Sequence, residues 1–139
     1  MEILIESIKR HEGYRDKVYL DSEGHLTCGW GHCLRLGTKV PIEASEAFFK
    51  ADLAMAVSDY IRLPKKLTDN LNVSRKRVIV EMIFNIGLPK LLGFKKMLAA
   101  TEAQDWKEAA AQMRDSRWAV QVKGRAQELA DIYEKGAIE

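Results

Sequence analysis

A chain of 139 residues is long enough for one hydrophobic core without disulfide or metal support, and 47% hydrophobic with 30% charged residues excludes a disordered or fibrous protein. The balance of 22 basic against 20 acidic side chains, +2 overall, is too weak to mark a nucleic-acid binder, and no nucleic-acid partner is expected. No apolar run approaches the roughly 20 residues that cross a bilayer, so stable membrane insertion is not expected either. The N-terminal MEILIESIKR is too short and too acidic for a signal peptide, which predicts synthesis in the cytoplasm without an export signal of its own.

In chain order, Ile3, Leu4, Ile5 and Ile8 recur at helical spacing and predict an amphipathic helix over residues 2–11, ended by Gly13. Glu12 then stands at the negative end of the helix dipole, which disfavours a carboxylate and should raise its pKa. KVYL, the turn DSEG and HLTCGWGHCL follow as a small three-stranded antiparallel sheet, with Gly24 in the turn. Gly29 and Gly31 inside a strand pattern imply a bulge or a close backbone approach. Cys28 and Cys33, with His25 and His32 nearby, form only one cluster, whereas zinc sites usually pair two. They read as small buried thiols, and neither metal nor cofactor is expected.

From Pro41 the period becomes helical. Phe48, Leu53, Ala56, Val57, Tyr60 and Ile61 keep an apolar stripe through residue 63, and Pro64 stops the helix. LTDNL reads as a connector. Asn72 or Ser74 can cap VIVEMIFNI, which Gly87 and Pro89 terminate. FKKMLAAT, DWKEAAAQMRD, RWAVQ and GRAQELADIYEKG complete the chain as short amphipathic helices. The expected class is α+β and mainly helical: a small β lobe over 13–40, a linking helix over 41–63, and a helical lobe from 1–12 and 64–139, together one domain over 1–139.

Charge is unevenly spread. Residues 60–96 carry 9 basic and 2 acidic groups, while both flanks are negative. Lys65, Lys66, Arg75, Lys76, Arg77, Lys90, Lys95 and Lys96 read first as a solvated helix face and second as a surface for a polyanion such as an anionic cell envelope.

Two carboxylates and a hydroxyl, Glu12, Asp21 and Thr27, suit glycosidic hydrolysis. One carboxyl group stays protonated to donate to the leaving oxygen, and the other stays ionised beside water or the developing cation. The helix end favours Glu12 for the first role; Asp21, in a polar turn, is expected to keep a more ordinary pKa. Spacing alone favours a surface glutamate and a turn-forming aspartate.

The motifs reverse that balance. Glu12-Gly13, Asp21 nine positions after Glu12, Thr27 six further, and Gly29-Trp30-Gly31-His32 resemble the phage-type lysozymes, glycoside hydrolase family 24. The resemblance continues through MIFNIG, Gly93-Phe94, WKEAA, SRW and Gly124-Arg125-Ala126, in family order. It implies a lysozyme-like fold and an endolysin-like muramidase that cleaves the β-1,4 bond between N-acetylmuramic acid and N-acetylglucosamine of peptidoglycan with inversion. It further implies Glu12 as general acid, Asp21 as the stabilising carboxylate and Thr27 as a water-positioning group. Inversion requires carboxyl groups about 6.5–9.5 Å apart.

For sugar binding, the resemblance points to Phe84 and to Cys33, Met97 and Gln112, the last three standing where the family often has leucine, serine and asparagine. Arg125 matches an arginine paired with the catalytic glutamate, Glu23 and Arg117 a pair reaching across the cleft, and His32 a histidine paired with an aspartate, here Asp52. An insertion after His32 in the T-even phage member is missing here, which predicts a shorter small lobe and a more open cleft. Trp30 between the glycines is unusual, and packing under the sheet or shaping the cleft both fit it. The implied partner is the peptidoglycan glycan strand, met by a monomer after release by another protein or as part of a virion. A non-catalytic peptidoglycan- or protein-binding module on the same fold is the runner-up.

Overall fold

The computed structural model describes residues 1–137; residues 138–139, the end of the expected helical lobe, lie outside the described residues. Among the described residues the chain forms nine helices and one three-stranded sheet, the α+β class expected. Contacts divide it into two units, the first Met1–Ser45 and the second from Glu46 onward.

The first unit begins with α1 (Glu2–Glu12), one residue longer than the spacing predicts. It ends where the Gly13 N–H donates to Lys9 O at 2.9 Å, with Gly13 at φ +71°, a conformation that favours glycine. None of the residues of α1 is buried. The sequence reading joins residues 1–12 to the helical lobe, whereas contacts group them with the sheet. That sheet runs β1 (Arg15–Leu20), β2 (Leu26–Gly29), β3 (His32–Cys33), antiparallel throughout. Its irregularity falls on β1, between Arg15 opposite Gly29 and Tyr19 opposite Thr27. Gly29 and Gly31, at φ +62° and +71°, flank a tight turn at Trp30, and the close approach expected there occurs at Gly31.

The boundary between the units falls inside α2 (Ile42–Ile61). This helix stops two residues before the predicted end, because Arg62 and Leu63 donate to Asp59 O and Tyr60 O in tighter turns. Pro64 then opens α3 (Lys65–Thr68), a helical turn that takes in the first two residues of the LTDNL connector. In α4 (Val73–Ile86) the Asn72 side chain accepts the Arg75 N–H at 3.0 Å, so Asn72 rather than Ser74 is the cap. Gly87 ends α4 as expected, but Pro89 lies in the first turn of α5 (Leu88–Leu92), where a missing N–H costs nothing. α6 (Lys95–Glu102), α7 (Trp106–Arg114), α8 (Arg117–Val122) and α9 (Gly124–Lys135) follow, with Asp105 and Ser116 capping α7 and α8.

The core belongs to this second unit. Val78, Ile79, Met82 and Ile83 form the buried face of α4, joined by Leu91, Met97, Met113, Trp118, Leu129 and Tyr133. Two hydroxyls inside it are satisfied in series: Thr101 Oγ1 donates to Met97 O at 2.9 Å, so the Tyr133 hydroxyl, 2.8 Å away, donates to Thr101. Burial pushes the Tyr133 phenol up to about 12, which keeps it a neutral donor.

Arg75 leaves the basic surface read from residues 60–96. Its Nε and Nη2 donate to Tyr133 O (2.8 Å) and Glu134 O (3.0 Å) at the end of α9, and its guanidinium lies 3.8 Å from the centre of the Trp106 ring. The same end of α9 closes at Gly136, φ +72°, where a Cβ would sit 2.8 Å from the guanidinium. Among the described residues no helix is long and apolar enough to cross a membrane.

Candidate active site

Glu12 is the last residue of α1, exposed, with its carboxyl against the Cα of Gly31. A Cβ at Gly31 would collide with Glu12 Oε2 and lie 3.0 Å from Cδ. Gly31 is therefore required twice, by the close approach and by its positive φ. The turn preceding it carries Trp30, packed against Tyr14 with ring centres 4.8 Å apart and beneath the Lys9 ammonium at 4.5 Å. Trp30 packs on Lys9 and Tyr14, which lie on either side of Glu12 in the chain.

Asp21 follows β1. Its Oδ1 accepts the backbone N–H groups of Glu23 (2.9 Å) and His25 (2.8 Å), while the His25 ring stands 3.5 Å from Oδ2. The ordinary pKa expected for Asp21 is corrected downward. The His25 N–H has the largest effect; desolvation opposes it, and the Glu23 N–H and the His25 imidazole add to it. Thr27, on β2, is buried, and its hydroxyl donates to His25 O at 2.9 Å. That same carbonyl accepts the Asp21 N–H at 2.9 Å. The backbone of one residue, His25, thus orients both polar groups, its N–H holding the Asp21 carboxylate and its C=O the Thr27 hydroxyl.

Around these residues, the Glu23 carboxylate lies 3.8 Å from His25 Nδ1. His32 is exposed on β3. Cys28 and Cys33 are free thiols, half-buried rather than buried, with Arg35 Nε donating to Cys33 Sγ at 3.3 Å. Among the described residues no three His, Cys, Asp or Glu side chains gather as a metal would need.

In the second unit, Phe84 is half-exposed on α4 and packs on Phe49 with centres 5.6 Å apart. Gln112 and Arg117 line a depression of about 710 Å³ together with Lys90, Phe94 and Trp118. Met97 lies beneath it, fully buried in the core, so its side chain offers no free surface to a sugar. Gln112 Nε2 donates to Glu108 at 2.7 Å. Arg125 pairs with Glu81 at 3.2 Å, a partner the sequence reading did not name. Asp52 is exposed on α2.

The phage lysozyme family profile matches residues 9–134. The chain belongs to the phage lysozyme family. It is 29% identical over 160 residues to probable T4-type lysozyme 1 of Dictyostelium discoideum, spanning 96% of this chain and 94% of that one. It is 30% identical over 162 residues to the pre-baseplate central spike protein Gp5 of Enterobacteria phage T4, which it matches over 98% of its own length and 28% of Gp5. An endolysin of Acyrthosiphon pisum secondary endosymbiont phage 1 shares 36% over 86 residues, 58% of this chain and 55% of that one. Both longer alignments exceed the 139 residues of this chain, so those relatives carry residues with no counterpart here.

This phage lysozyme is an enzyme, and its charge states matter. The folded Asp21 carboxyl titrates below the unfolded value of about 3.9, so folding favours its ionised form. Its contribution to stability is complete above that value and is lost as pH falls through the lower folded one. We expect a carbon-detected titration to show Asp21 losing its charge below pH 4, and Asp21→Asn to remove this part of the acid dependence. His25, which orients both Asp21 and Thr27, was considered in the sequence only as a metal ligand. The signal was present in an aspartate before Ser-Glu-Gly-His, since Asp side chains bind backbone N–H groups just ahead of them.

Proposed function

We propose that this phage lysozyme hydrolyses the β-1,4 bond between N-acetylmuramic acid and N-acetylglucosamine of peptidoglycan with inversion, as one catalytic domain over residues 1–139. The observation that supports this best is the backbone of His25 binding both Asp21 and Thr27. With its proton committed to His25 O, the Thr27 oxygen is left as an acceptor. The Asp21 carboxylate is an acceptor too. A water donating one proton to each directs its lone pair outward, toward an anomeric carbon. Glu12 acts as the general acid, giving its proton to the leaving oxygen as the bond breaks. The water adds to the anomeric carbon, and its proton passes to Asp21.

Phe84, Gln112 and the Arg117 rim supply apolar and polar surface suited to amino sugars. Met97 contributes only packing beneath them. Action on the wall follows delivery by a separate protein, as suits a chain similar to endolysins. The test is digestion of stripped Gram-negative walls by the purified protein. Loss of turbidity, release of reducing-end N-acetylmuramic acid by mass spectrometry, and an α anomer as first product by proton NMR are expected. A first-formed β anomer would overturn inversion; pelleting with walls without any release of ends would favour the binding module.

A further inference from the structure

Trp30 stands between two glycines, half-exposed, in the turn joining β2 and β3. Its partners come from one short segment: Lys9 lies three residues before Glu12 on α1, and Tyr14 two residues after it. The indole therefore grips the chain on both sides of Glu12. The next residue of the turn, Gly31, lies with its Cα against the Glu12 carboxyl. Among the described residues of this unit, no hydrogen bond or ion pair holds that carboxyl; its location depends on how the turn sits on the helix end.

We propose that Trp30 is a positioning residue: in contact with both Lys9 and Tyr14, it holds the β2–β3 turn on the end of α1 and so sets where the Glu12 carboxyl stands. The inference rests on Glu12 being the general acid. An ammonium over an indole face is attracted by the ring quadrupole, and the tilted tyrosine adds apolar contact on the same ring. Neither interaction needs a buried core, which suits a unit in which α1 buries nothing. An acid displaced by about 1 Å can lower a rate up to about 100-fold, so a modest loosening of the turn reads out in turnover. Because Trp30 acts through Glu12, its loss should lower kcat and leave saccharide affinity nearly unchanged.

The experiment compares Trp30→Ala, Trp30→Phe and Lys9→Met on soluble glycan oligomers, measuring kcat and KM separately, and records the Glu12 side-chain carboxyl carbon resonance in each free enzyme. Trp30→Ala should lower kcat about 10-fold with KM within about 2-fold, and should move the Glu12 resonance. Trp30→Phe should restore most of both. Lys9→Met should lower kcat about 3-fold, in line with one exposed cation–π contact, and it carries the test should Trp30→Ala unfold the lobe. A raised KM at unchanged kcat would make Trp30 a sugar contact and overturn the proposal, as would an unchanged kcat with an unmoved resonance. If Glu12→Gln turns over as fast as the wild type, the general-acid reading fails by itself, and the resonance then decides the positioning.

Discussion

Glu12→Gln should lower wall turnover by about 1,000-fold, since the amide keeps the shape of the side chain but has no proton to give. The location of the residue makes this a clean substitution. Glu12 is exposed at the end of α1, and glutamine fits against Gly31 as glutamate does. Folding should therefore be untouched, with thermal unfolding and the far-ultraviolet spectrum matching the wild type. The measurement is the initial rate of turbidity loss on stripped walls, with reducing ends counted as a second readout. A variant that kept even a tenth of the wild-type rate would remove Glu12 from the role of acid. Loss of lysis without loss of fold would also dispose of a purely electrostatic, salt-sensitive action by the basic segment, because the exchange leaves residues 60–96 untouched.

Arg75→Ala should cost about 3 kcal/mol of stability, the largest effect expected from any single charge in the helical unit. Its guanidinium donates to two carbonyls at the end of α9 and covers the Trp106 ring. Those carbonyls belong to the group that every helix C-terminus leaves without intrahelical partners. Alanine removes two charged hydrogen bonds and one cation–π contact together, with a fall in Tm on the order of 10 °C. Arg75→Lys should recover only part of this, since an ammonium cannot span both carbonyls with the planar fork. Arg77→Ala, the same change of charge at an exposed site of the same helix, should stay within about 0.5 kcal/mol. Equal losses at both positions would show that net charge rather than geometry is responsible.

Much of the local structure of the candidate site was legible because its parts are close in sequence. Glu12 ends a helix that Gly13 closes, and Asp21 sits in a turn whose N–H donors lie two and four residues ahead. Such contacts depend on a few dihedral angles and on residue types a short distance apart. The same locality explains why the α4 cap narrowed to Asn72 or Ser74, of which the structure uses Asn72, and why the α+β class was legible. Pro89 was misread for a related reason: proline ends one helix and begins another with equal ease, and only the next residues decide which.

Residue types and periodicity by themselves determined most of the helices and the small sheet, since each follows from backbone hydrogen bonding within a few residues, whereas the choice of Glu12, Asp21 and Thr27 as candidate acid, carboxylate and hydroxyl came from their resemblance to the phage-type lysozyme motifs. Tertiary structure alone decided which long side chains meet. It sent Arg75 to the end of a helix about sixty residues away, gave Arg125 the carboxylate of Glu81, buried Met97, and brought Trp30 against Lys9 and Tyr14. Arginine, methionine and tryptophan each satisfy several environments at similar free energy. Their partners are therefore settled only when packing of the whole chain leaves one of those environments within reach.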